Sequence, residues 1–189
     1  MRERGEGGGR LGAGDHAIVL ITGIQAAGKS TVAQALAERL PRSVHVRGDV
    51  FRRMVVRGRA EMTPDATEEA ERQLRLRYRL TAQVADAYFE AGFTVVAQDV
   101  VLGPDLTELT ASIRNRPLLV VVLAPSPAAV AARESERAKT AYTGWTVEAL
   151  DAGLRHRTPR IGLWLDTSDQ TPTETVDEIL TRAWTEAAI

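Results

Sequence analysis

The sequence predicts an α/β protein built in three layers, with a parallel, five-stranded sheet flanked by helices. Three observations carry this. Ala17-Ile18-Val19-Leu20-Ile21 is an unbroken apolar run rich in β-branched residues, the pattern of a strand covered on both faces. A Gly-rich turn follows it, and from Lys29 the spacing becomes helical, with Val32, Leu36 and Leu40 on one face and Pro41 as the stop. Further strand and helix patterns then alternate to the end of the chain, which implies right-handed crossovers and helices on both sides of the sheet.

Taken in order, Ser43-Val44-His45-Val46 is a weak second strand. Phe93 to Ala97, Leu118 to Leu123 and Ile161 to Leu165 are stronger ones. Helical spacing covers Pro64 to Ala91, Ala128 to Lys139, Val147 to Leu154 and Pro172 to Ala187. Val50 to Val56 can start another short helix. Residues 1–15, with Gly7-Gly8-Gly9, have too little apolar area to offset their conformational entropy and read as a flexible tail. The remainder, 16–189, reads as one domain, as the length of 189 residues suggests, with no internal repeat or linker.

Composition excludes several classes of function. Apolar residues make up 44% and charged residues 26%, and no run is long enough to span a membrane. The net charge of -1 supplies no global basic field for nucleic acid, so any such role must be local. Without cysteine there are no disulfides, thiolate metal sites or cysteine nucleophiles. The start of the chain lacks the apolar stretch of a signal peptide, so a cytoplasmic location is expected. His16, His45 and His156 have no metal-ligand spacing, and Trp145, Trp164 and Trp184 read as packing residues.

Of the 24 basic residues other than histidine, only Lys29 and Lys139 are lysine. Lys29 falls in Gly23-Ile24-Gln25-Ala26-Ala27-Gly28-Lys29-Ser30, the phosphate-loop pattern of Gly, four residues, then Gly-Lys-Ser, placed between a buried strand and a helix. In that setting the glycines let the backbone N–H groups of Gln25, Ala26, Ala27 and Gly28 turn toward phosphate oxygens at the positive end of the helix. Lys29 then reaches the β- and γ-phosphates, Ser30 ligates Mg²⁺ and Thr31 bonds the α-phosphate, with ATP·Mg²⁺ as the expected ligand.

The acceptor side is read from the other strand ends, where open α/β sheets place ligands. Asp49, in Arg47-Gly48-Asp49-Val50-Phe51-Arg52-Arg53, is a candidate to orient an acceptor hydroxyl and take its proton; its other reading is a helix N-cap. Arg52, a turn later, is placed to hold the acceptor or a phosphate. Asp99 ends the third strand and reads either as a water-mediated Mg²⁺ or acceptor ligand or as a solvated loop acid. Arg133 and Arg137 share a helix face and form a candidate lid over the γ-phosphate, or else a solvated face alternating with Glu134 and Glu136. Arg72, Arg75, Arg77 and Arg79 fall near the acceptor but read mainly as surface residues paired with Glu68, Glu69 and Glu71.

On these residues the chain resembles the small P-loop kinases, in particular chloramphenicol phosphotransferase-like enzymes and the kinase domain of polynucleotide 5′-hydroxyl kinases. The resemblance covers Ala17 to Ala187. It implies a P-loop NTPase fold, an acceptor region near residues 47–90, a small arginine-bearing lid near 126–146, and a loop at Asp166 to Pro172 close to adenine. It implies phosphoryl transfer from ATP to an alcohol, with a small antibiotic-like or nucleoside-like molecule favoured over a nucleic-acid 5′ end. A nucleotide-binding regulatory protein without an acceptor is the alternative from another class.

Overall fold

The computed structural model describes residues 16–135 and 144–189. The tail expected at residues 1–15 lies outside them, as do Arg137 and Lys139. Five strands form one parallel sheet: β1 (Ile18–Thr22), β2 (Ser43–Arg47), β3 (Thr94–Gln98), β4 (Leu118–Leu123) and β5 (Leu163–Leu165), in the order β2-β3-β1-β4-β5. Every residue of β1, β3 and β4 is buried, as their unbroken apolar runs require. The edge strand β2 buries only Val46, which explains its weak signal.

The helices are α1 (Lys29–Arg39), α2 (Gly48–Met54), α3 (Glu68–Glu90), α4 (Asp105–Ser112), α5 (Pro127–Ser135), α6 (Val147–Ala152) and α7 (Pro172–Glu186). The long helix α3 begins after Pro64 because Thr67 caps it, accepting from the Ala70 N–H at 3.2 Å, with Glu68, Glu69 and Glu71 in the first turn. At α7 a reciprocal capping box joins Thr171 and Glu174. Two features depart from the sequence pattern. Helix α4, which buries Leu106, Leu109 and Thr110, has no counterpart in the reading above. The stretch after α6 widens into a π-helical turn, Gly153–Arg157, rather than ending at Leu154.

Register sets up the site. Arg47 of β2 lies opposite Gln98 of β3, and Gln98 lies opposite Ile21 of β1. The next residue of each strand is therefore Gly48, Asp99 and Thr22, brought side by side at one sheet edge. There the phosphate loop leaves β1, and β1 has β3 on one side and β4 on the other, the switch point at which open α/β sheets bind ligands.

Candidate active site

The loop from Gly23 to Ser30 has the tight backbone its glycines anticipate. A side chain on Gly23 would place its Cβ 2.4 Å from the Leu123 carbonyl oxygen, so only glycine lets β1 turn this close to β4. Ala26 adopts φ 60°, a conformation that costs a side-chain-bearing residue about 1–2 kcal/mol. Strain of this kind gathers at ligand-holding loops. No side chain caps α1 and no acid occupies its first turn, so the helix presents its positive end to the loop. Lys29 is buried, and its Nζ donates to the Ile24 carbonyl at 2.6 Å; Ser30 and Thr31 are exposed in the first turn.

The loop separates two cavities. Ala26, Ala27, Gly28 and Thr31 line one of about 200 Å³, together with Arg133, Thr167, Gln170 and Pro172. Arg133 spans it, donating to the Thr167 carbonyl at 2.5 Å, the Ser168 carbonyl at 3.4 Å and the Ala27 carbonyl at 3.5 Å. The arginine thus ties the phosphate loop to the loop after β5. Gln25 instead faces a larger cavity of about 880 Å³, which Asp49, Arg52, Arg77 and Asp99 also line.

Asp49 does not cap α2. Arg47 occupies the N-cap position without a side-chain bond, and Asp49 lies within the first turn. The Asp49 Oδ2 accepts from Arg53 at 2.7 Å, Arg47 Nε stands 3.7 Å from Oδ1, and Oδ1 is shielded from solvent with no hydrogen-bond partner among the described residues. Arg52 lines the cavity but is bonded to Glu61, which also takes Arg59 at 3.0 Å. Burial and the charges of Arg59 and Arg77 hold the Arg52 guanidinium below its usual pKa.

Asp99 is not a solvated loop acid: its side chain is 3% exposed. Oδ1 accepts from Arg77 at 2.7 Å and from the Val100 N–H at 2.8 Å, whereas Oδ2 is buried with no hydrogen-bond partner among the described residues. Burial pushes the carboxyl above its usual range, against the pull of Arg77, the Val100 N–H and Lys29 and with a push from Asp49. Lys29 and Asp49 are thus both close enough to act on the charge of Asp99. Gly48 makes room for this approach, because a Cβ there would lie 2.0 Å from Asp99 Oδ2.

Sequence reasoning missed Gly48, Arg77, Tyr78 and Trp145. Arg72 and Arg75 do pair with Glu69 and Glu71 on the surface, but Arg77 turns inward to Asp99. The helical period does not single it out: Arg75, three residues before Tyr78 and seven before Ala82, falls as near the buried stripe of Tyr78, Thr81, Ala82 and Ala85 as Arg77 does. Trp145, read as packing, lines the larger cavity and donates from Nε1 to the Met62 carbonyl at 3.3 Å.

A divalent ion fits this edge through few protein ligands. Among the described residues no three His, Cys, Asp or Glu side chains form a metal-sized cluster. Mg²⁺ commonly rests on nucleotide phosphates plus one or two side chains. Here Ser30 and Asp99 Oδ2, which has no hydrogen-bond partner among the described residues, can supply such oxygens. Among the described residues no helix is long and apolar enough to cross a membrane.

A parallel sheet carrying a phosphate loop at its switch point, with acidic residues at the two neighbouring strand ends, defines a P-loop protein of the kinase-type fold. The chain belongs to the AAA domain family, whose model matches residues 18–160. A UPF0200 protein of Aeropyrum pernix is 47% identical over 58 residues, 31% of each chain, so the chain spans less than a third of that relative in the match. A sugar kinase from Janibacter sp. has the same fold with a TM-score of 0.65 at 20% identity, covering 88% of this chain and 94% of the other. The tunicamycin resistance protein of Deinococcus radiodurans superposes with a TM-score of 0.63 at 18% identity, covering 93% and 99%.

Proposed function

We propose that the protein is an ATP·Mg²⁺-dependent phosphotransferase that moves the γ-phosphoryl group to a hydroxyl of a small antibiotic-like or nucleoside-like molecule. The observation that carries this reading is the meeting of Lys29, Asp49 and Asp99 at one sheet edge, beside a cavity distinct from the one behind the phosphate loop. Neighbours of the same fold, a sugar kinase among them, support it.

In this reading the loop amides of Gly23 to Gly28 and the Lys29 ammonium hold the phosphates. Ser30, with Asp99, holds Mg²⁺, which when bound neutralises charge on the β- and γ-oxygens. Asp49 Oδ1, already relieved of hydrogen bonds, accepts the acceptor's hydroxyl proton. The acceptor oxygen bonds to the γ-phosphorus as the bond to the bridging oxygen breaks and ADP leaves with that electron pair. Arg133 holds the nucleotide from the smaller cavity rather than the acceptor side, Arg137 closes over the transferring group, and Arg52 and Asp99 border the acceptor. Asp49→Asn should retain ATP affinity while lowering transfer by about 100-fold or more. Transfer at the wild-type rate in that variant would remove Asp49 as the base.

A further inference from the structure

One segment stands between the larger cavity and the root of α5. On one face of α6 and the π-helical turn after it, Leu150, Gly153 and Arg157 line the larger cavity. On a second face, four residues apart, Asp151 and Arg155 form an ion pair. Asp151 is 9% exposed, and its two oxygens accept from Arg155 Nε at 2.9 and 3.0 Å. The far end of the guanidinium, Nη2, donates to the Ala124 carbonyl at 3.2 Å and the Pro125 carbonyl at 3.0 Å. These carbonyls belong to Ala124-Pro125-Ser126-Pro127, the stretch that joins β4 to α5, in which two prolines have no N–H with which to hold a turn. Arg155 holds it from outside.

The bonding continues from there to the nucleotide side. The Ser126 hydroxyl accepts from the Ala129 N–H at 3.2 Å at the start of α5, and the Ser126 N–H donates to Ser168 Oγ at 2.8 Å. Ser168 lies in the loop that Arg133, reaching from α5, ties to the Ala27 carbonyl. Arg155 and Arg133 are both near enough to Asp166 to act on its charge, adding to the bonds from Ser168 that hold its carboxyl below the usual range. We propose that Arg155 is a positioning residue for the nucleotide: it fixes where α5 begins and so aims Arg133 across the smaller cavity against the phosphate loop. This rests on the nucleotide-binding half of the phosphotransferase reading and is independent of the acceptor. Arg155 lies outside the linings of both cavities, so it acts through Arg133 and not on the ligand. Its chemistry suits the task, because a guanidinium is a rigid planar fork and a carboxylate on Nε fixes the direction of Nη2. With Arg155 33% exposed, the pair contributes little to stability by itself, so its effect is expected at the site more than in the fold.

The test is calorimetric binding of a non-hydrolysable ATP analogue with Mg²⁺ to the intact protein as wild type, Arg155→Met, Arg133→Met and the double variant. Calorimetry reports the number of sites as well as Kd, so unfolded protein lowers the first and leaves the second. Arg155→Met should weaken binding by about 5-fold or more, as a residue acting through a bonded network does. Arg133→Met should weaken it at least as much. In the double variant, Arg155→Met should add less than about 2-fold, because the residue it acts through is gone. Asp151→Ala leaves the guanidinium in the chain without its anchor and should weaken binding in the same direction, again with little effect beside Arg133→Met; it carries the test where Arg155→Met does not fold. Wild-type Kd in every Arg155 and Asp151 variant that folds, or losses that simply multiply in the double variant, overturns the inference and leaves the phosphotransferase reading standing. No binding of the analogue by the wild type overturns that reading and the inference with it.

Discussion

Helix α3 connects two buried carboxylates with opposite environments. Near its C-terminal end Asp86, 1% exposed, accepts from the Arg114 and Asn115 N–H groups at 3.1 and 3.0 Å and from the Asn115 amide at 2.9 Å. These bonds outweigh burial and hold its pKa below the usual carboxylate range. Asp99, reached from the same helix by Arg77, keeps one oxygen without a hydrogen-bond partner among the described residues, and burial lifts its pKa. A saturated carboxylate holds two segments together; an unsaturated one at a strand end is a group waiting for a ligand.

Asp99→Asn gives the largest expected effect on function. The amide preserves shape and the bond from Val100 but removes the negative charge facing the phosphate loop. Phosphoryl transfer should fall by about 100-fold or more, with ATP still bound and the chain still folded. The measurement is steady-state transfer beside thermal melting. If stability collapses while turnover per folded molecule persists, Asp99 is a structural group of the same kind as Asp86 and the contrast disappears.

Asp86→Ala should do the reverse. It removes the acceptor of the part-buried Arg114 and Asn115 N–H groups and one of the two acceptors of the Asn115 amide, at a cost of about 1–3 kcal/mol, while transfer per folded molecule is kept. The pH dependence follows from its lowered pKa. The unfolded chain binds its proton at a higher pH than the folded one, so the stabilisation is complete above the unfolded carboxylate value and is lost as pH falls through the folded value. Urea unfolding of wild type and Asp86→Ala should therefore show a stability gap at neutral pH that narrows in acid. A gap that stays constant into that range would mean Asp86 acts by packing rather than by charge.

How much of this was legible in the sequence differs between the two ends of α3. Strands β1, β3 and β4 were readable because burial on both faces leaves continuous apolar runs, and the phosphate loop because its chemistry tolerates few substitutions in a short contiguous stretch. The five-stranded parallel sheet is as expected. Pairings between distant residues left no local trace. Gly48 is written as an ordinary turn glycine, and nothing in its neighbours says that Asp99, half a domain away, fills the space beside it. The wall of the larger cavity was hidden for the same reason. Apolar residues facing a cavity and apolar residues facing a core have the same helical period, so Trp145 read as packing.

The smallest expected effect tests the reading of the α3 arginines. Arg72, 60% exposed, reaches Glu69 at 2.7 Å and Glu68 at 3.6 Å, an arrangement that looks stronger on paper than the single bond of Arg77. Solvent screens the Arg72 pairs, and holding long side chains in one geometry costs entropy, so Arg72→Ala should change stability by less than about 0.5 kcal/mol. Arg77 is 14% exposed, and its loss would leave the buried Asp99 charge without its cation. Chemical denaturation and transfer assays on Arg72→Ala should both match wild type. A stability loss above about 1 kcal/mol, or a transfer defect, would show that solvent exposure does not separate the surface arginines of α3 from the one that serves the site.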